Sequence, residues 1–162
     1  MSIVINSLEY QSWHEVGHAI VCLHLGGGVE FVELLDDERA SGLARARCST
    51  NTNIRPSVAC GGFAAELFLL RNNHLEQVDE KEITQIIFRN ATKDREIFCG
   101  RTLRDDEIFK KEEDESFMCH AVQKVDPIMG QYFPQMKLIV RELLNERKIH
   151  GSKVRELLCL DR

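Results

Sequence analysis

The spacing of apolar and polar positions changes period several times along the chain, and each change predicts an element. From Ser7 to Leu25 apolar residues recur at helical spacing and then crowd together as Ala19-Ile20-Val21-Cys22-Leu23, so a buried helix is expected. Asn6 or Ser7 can cap it, with Glu9 three residues after Asn6 as in a capping box. Gly26-Gly27-Gly28 stops it. Val29 to Leu35 is rich in strand formers, Asp36 to Ser41 is a polar turn, and Gly42 to Cys48 alternates in the manner of a return strand. A small hairpin is the expectation.

After a loop over Asn51 to Arg55 the helical period returns. A helix is predicted over Arg55–Leu70, with Pro56 tolerated in its first turn. Asp79-x-x-Glu82 has the form of a capping box and opens a helix whose stripe includes Ile83, Ile86, Ile87 and Ala91. Further helices are expected over Asp105–Val125, from Pro127 to about Glu146, and in a short terminal piece beginning at Gly151-Ser152. The fold class is therefore mainly α, a helical bundle with one small inserted β-hairpin, in a single domain over residues 1–162.

Composition narrows the function classes. A hydrophobic fraction of 43% is enough for a sizeable core, and a net charge of -5 gives no electrostatic reason to expect nucleic acid or an anionic membrane as partner. No apolar run is long enough to span a bilayer, and Met1 to Asn6 do not begin a secretory signal. The six cysteines form no Cys-x-x-Cys pair; reduced, mostly buried thiols in a cytoplasmic protein are expected.

The chemistry lies in the first helix, where His14-Glu15-Val16-Gly17-His18 is a His-Glu-x-x-His motif. At about 100° per residue, positions 14 and 18 share one face, one turn apart, and two imidazole nitrogens there can reach one Zn²⁺. Glu15 falls in the adjacent sector, where its carboxylate serves as general base toward a zinc-activated water and then as proton donor to a leaving amine. Buried imidazoles and a buried carboxylate in so apolar a helix are costly unless partnered, and a metal is a partner that satisfies them. Gly17 would let another element approach closely. A histidine pair of this spacing also occurs in helices without metal.

The segment His14 to Val21 resembles the His-Glu-Ala-Gly-His-Ala segment of the FtsH-type zinc peptidases, and Ala59-Cys60-Gly61-Gly62-Phe63-Ala64-Ala65-Glu66-Leu67 resembles that family's Gly-Gly-Arg-x-Ala-Glu-Glu helix, with Phe63 in place of the arginine. The likeness covers most of the chain in order, including the hairpin and the Leu143–Leu158 stretch. It implies an FtsH-peptidase-like helical domain, metalloendopeptidase activity on peptides or unfolded proteins, and an aspartate from a later helix as third zinc ligand. Asp79 is the expected ligand, with Glu82 as the competing choice; capping of a helix is the other role open to both. No phosphate-binding loop of an ATPase is present in the sequence, so substrates are expected to be flexible or delivered by a separate unfoldase or adaptor. A non-catalytic interaction module that keeps the peptidase fold is the alternative expectation. Glu66 is either an acceptor that orients a ligating histidine or a surface carboxylate. His24 is expected at the helix end, and His74, His120 and His150 on the surface.

Overall fold

The computed structural model describes residues 2–35, 43–77 and 79–160. The turn expected over Asp36 to Ser41, and Gly42 at the start of the return strand, lie outside the described residues.

Helix α1 (Leu8–His24) begins where Ser7 turns the chain, its hydroxyl oxygen accepting the Tyr10 N–H at 3.2 Å. The cap is thus Ser7, while Asn6 takes a left-handed turn just ahead of it at φ 59°. Beyond α1, Gly26 adopts φ 90°, a conformation open to glycine, and the chain enters strand β1 (Gly28–Leu34). Strand β2 (Ala44–Ser49) returns antiparallel to β1.

The hairpin is not alone, because β3 (Lys148–His150) pairs with the other side of β1 and gives the order β2-β1-β3. Arg147, left-handed at φ 67°, turns the chain out of the last long helix, and its carbonyl accepts the Leu34 N–H at 2.8 Å. Only Ile149 of the three β3 residues is buried, and a strand so short shows no alternation to read. This arrangement leaves β2 at one edge of the sheet.

The expected helix over 55–70 is broken at Cys60 into α2 (Arg55–Ala59) and α3 (Gly61–Arg71). The break sets Gly61 directly against α1. A Cβ on Gly61 would stand 2.7 Å from the Gly17 carbonyl oxygen, and one on Gly17 would stand 2.8 Å from the Ala65 Cβ. Close approach is thus what both glycines supply.

Asp79 caps α4 (Glu80–Asn90), its carboxylate accepting the Lys81 N–H at 3.2 Å. Ala91 then separates α4 from α5 (Thr92–Cys99), a short helix ended by left-handed Gly100. The helix expected from Asp105 starts later, as α6 (Lys111–His120), because Arg101 ties Glu107 and Glu113 together and Glu113 caps the Lys110 N–H at 2.8 Å. A π-helical segment (Ala121–Val125) joins α6 to α7 (Asp126–Glu146), and α8 (Gly151–Leu157) follows β3.

Helix α1 runs through the centre of the core, with Tyr10, Val16, Ala19, Ile20, Val21 and Cys22 fully enclosed by α3, α7 and the sheet. Phe63 is also fully buried, edge-on to Phe88 and Phe117 with centroids 5.0 Å away in each case. It fills core rather than facing a ligand. All six cysteines are free; Cys22 and Cys60 are buried, Cys48 and Cys99 half-buried, and Cys119 and Cys159 exposed, so the expectation of mostly buried thiols holds only in part. Among the described residues no helix is long and apolar enough to cross a membrane.

Candidate metal centre

Because α1 is continuous through His14 and His18, both rings leave the same face, with centroids 4.8 Å apart and Nε2 atoms 3.1 Å apart. Their outer nitrogens are held separately. His14 Nδ1 lies 2.6 Å from Glu66 Oε2 on α3, and His18 Nδ1 lies 2.6 Å from the Val58 carbonyl oxygen on α2. Asn90 Nδ2 donates to the other Glu66 oxygen at 2.8 Å and fixes the carboxylate. The kink between α2 and α3 is what lets these two helices grip one ring each.

The third group is Asp94, in the first turn of α5. Its Oδ2 stands 3.1 Å from His14 Nε2 and 3.2 Å from His18 Nε2. The sequence expectation of Asp79 is therefore corrected: Asp79 is an exposed helix cap, Glu82 is exposed on the same helix, and Asp94 is the acid that meets the histidine pair. Asp94 stands on α5, a helix beyond the Ala91 end of the stripe from which the sequence predicts α4. Residues 92–99 nonetheless carry a signal, an acid in a first turn, Ile97 and Phe98 behind it, and Gly100 as stop.

Proton bookkeeping decides what this triangle can hold. A carbonyl oxygen only accepts, so His18 Nδ1 carries the hydrogen; a carboxylate already accepting from Asn90 likewise takes the hydrogen from His14 Nδ1. In the neutral rings both Nε2 lone pairs then face each other and the Asp94 oxygen at 3.1–3.2 Å. Three lone pairs at that distance repel unless positive charge lies among them. Three donors on a tetrahedral zinc, each at about 2.0–2.1 Å, stand roughly 3.3 Å apart, and the observed triangle is close to that. Two imidazoles and one carboxylate form a donor set suited to a divalent transition metal, zinc and iron(II) among them.

The ionisation tendencies agree. Burial pulls the His14 imidazole down, but the Glu66 charge and the hydrogen bonds to Asp94 and Glu66 outweigh it, leaving its pKa well above the ordinary value. His18 is raised against burial by Asp94. Burial pushes Asp94 upward, yet the two imidazoles hold it well below the usual carboxylate range. All three shifts arise from imidazoles and carboxylates held within hydrogen-bond distance of one another in a buried setting.

Neither the scan against protein-family models nor the search of curated proteins finds a match to this chain.

Glu15 is not among the three converging atoms. Its Oε2 accepts the Ala46 N–H of β2 at 3.0 Å, so the carboxylate sits between the histidines and the sheet edge. Side-chain exposures of 13% for His14, 12% for His18 and 15% for Asp94 leave the site reachable from outside. Two hollows open beside it. One, of about 440 Å³, is bordered by Glu15, His18, Cys48 and Asp94; the other, of about 250 Å³, is bordered by His14 and Glu15.

Glu66 is fully buried and bonded to a histidine, which answers the question its sequence position left open. The Val58 carbonyl and Asn90 were not legible as site groups, since neither residue type in isolation signals one. Away from the site, His24 at the end of α1 lies 2.9 Å from the Tyr132 hydroxyl, and half-buried His120 lies 2.8 Å from Ser57 Oγ.

Proposed function

We propose that this chain is a zinc-dependent peptidase that hydrolyses peptide bonds in extended, flexible substrates. The observation that carries the reading is the convergence of His14 Nε2, His18 Nε2 and Asp94 Oδ2 with both Nδ1 atoms already committed as donors. His14, His18 and Asp94 would hold the metal. When bound, zinc supplies an acidified water and a Lewis acid for the scissile carbonyl.

The chain's own groups account for the remaining steps. Glu15 takes the proton from the attacking water and passes it to the leaving amine, a role that needs a carboxylate beside the metal rather than on it. Glu66 orients His14 and raises its basicity through Nδ1, and the Val58 carbonyl does the same for His18. Edge strand β2 turns its Ala46 N–H away from β1 and toward the site. An extended peptide laid along that edge by main-chain hydrogen bonds would bring its carbonyl to the metal without any requirement for a folded partner. The resemblance of His14–Val21 and Ala59–Leu67 to FtsH-type peptidases supports the same reading.

Replacing Glu15 by Gln tests the role of the base. The variant is expected to keep one zinc per chain and to lose about 100-fold or more in cleavage of a quenched-fluorescence peptide library. Cleavage at the wild-type rate by the zinc-loaded variant would remove Glu15 from the mechanism.

A further inference from the structure

The smaller hollow beside His14 has a wall unlike that of its neighbour. Tyr10 is fully buried within it, and the phenol oxygen has no hydrogen-bond partner among the described residues. Glu66 and Asn90 lie beside that oxygen, and burial together with the Glu66 charge keeps the phenol protonated. A buried hydroxyl without a partner costs free energy unless a ligand completes it.

The rest of the wall is built of acceptors and carboxylates. Glu15 and Glu66 contribute two carboxylates, and Asn6, Gln11 and Asn90 contribute side-chain amides. The described lining includes no lysine or arginine. At about 250 Å³ the hollow has room for one long side chain, and it shares Glu15 and His14 with the metal centre, so its occupant is the residue next to the cleaved bond. An unpartnered hydroxyl, amide and carboxylate oxygens that each keep a free lone pair, and a described lining without a basic side chain suit a ligand that brings several N–H donors and a positive charge.

We infer that this hollow is a specificity pocket for a lysine or arginine side chain adjoining the scissile bond. This rests on the peptidase reading above. The ammonium or guanidinium donates to the Tyr10 oxygen and to the Glu66 and amide oxygens around it, replacing its lost hydration with fixed acceptors and leaving Glu15 to the water. The pocket of Glu15, His18, Cys48 and Asp94 on the other side carries no equivalent demand.

The test is a peptide series varied only at the residues flanking one cleavable bond, with lysine, arginine, norleucine or glutamate, given to the zinc-loaded protein. Lysine and arginine on one side of the bond are expected to raise kcat/KM about tenfold or more over norleucine. Tyr10→Phe should cut that margin severalfold, and Gln11→Lys should turn the preference toward glutamate, with zinc content checking that both variants are folded. If a variant does not fold, the wild-type ranking alone decides. If no peptide is cleaved, binding of the same series to wild type by fluorescence anisotropy gives the ranking. Basic peptides bound tightest without cleavage would keep the pocket and overturn the peptidase reading. Cleavage with no preference for a basic residue would overturn the pocket and keep the peptidase. Absence of both cleavage and ranked binding would overturn both.

Discussion

Gly62 offers a way to displace the metal without replacing any residue proposed to bind it. A Cβ at this position would lie 2.5 Å from His14 Cδ2 and nearer still to Cε1 and Nε2 of the same ring. Carbon contacts settle at roughly 3.5 Å, so Gly62→Ala must push the imidazole back by about 1 Å. Zinc–ligand distances tolerate about 0.2 Å. The ring has nowhere equivalent to go, because Nδ1 is held at 2.6 Å by buried Glu66. Loss of an orienting partner alone costs about 10–100-fold in metal affinity; displacing the ligand itself should cost at least about 100-fold. Folding suffers less. Overpacking costs about 1–3 kcal/mol, and alanine in place of glycine in a helix returns up to about 1 kcal/mol. The net of about 0–2 kcal/mol corresponds to a Tm drop of no more than roughly 8 °C in the metal-free protein. Chelator-competition titration of wild type and variant, with thermal melts of both metal-free forms, measures the two effects separately. A folded Gly62→Ala protein that binds zinc within threefold of wild type would refute the placement of His14.

Other changes bear on the same site. Glu66→Gln keeps the shape but removes the charge on His14 Nδ1, and zinc affinity should fall about 10–100-fold in a competition titration. Asp79→Ala should cost about 1 kcal/mol in urea melts through the lost α4 cap, while zinc content stays at the wild-type value; loss of metal in this variant would restore Asp79 as a ligand. In the metal-free protein His14 and His18 are raised and Asp94 is lowered. The histidine contribution to stability is therefore complete below about pH 6.5 and fades as pH rises through the raised values, while that of Asp94 is present above about pH 4 and fades as pH falls through its lowered value. Zinc displaces the imidazole protons, so calorimetry near pH 7 in buffers of different ionisation enthalpy should show proton release on binding, and affinity that climbs with pH. Binding without proton release would contradict the raised histidines.

Much of this centre could be read before any coordinates. The apolar run after His18 required a buried helix, and burial of an imidazole pair required a partner. The glycine within the motif foretold a close neighbour, which is Gly61. What escaped the sequence depended on long-range geometry. Asp79 had the local pattern of a cap and is a cap; Asp94 is placed by a break at Ala91 that no periodicity signals. Strand β3 is three residues long and exists only because Arg147 reverses the chain beside β1. The single helix expected over 55–70 divides because Gly61 must rest on α1, a requirement set by tertiary contact rather than propensity. The late start of α6 is owed to an ion-pair cluster around Arg101, whose members lie 6 and 12 residues away.

Anomalous diffraction at the zinc edge, from crystals of protein equilibrated with one equivalent of zinc, bears most directly on the metal centre. A single strong peak at about 2.0–2.2 Å from His14 Nε2, His18 Nε2 and an Asp94 carboxylate oxygen is the predicted result. A peak elsewhere, or the two imidazoles turned away from each other with no metal between them, would contradict it.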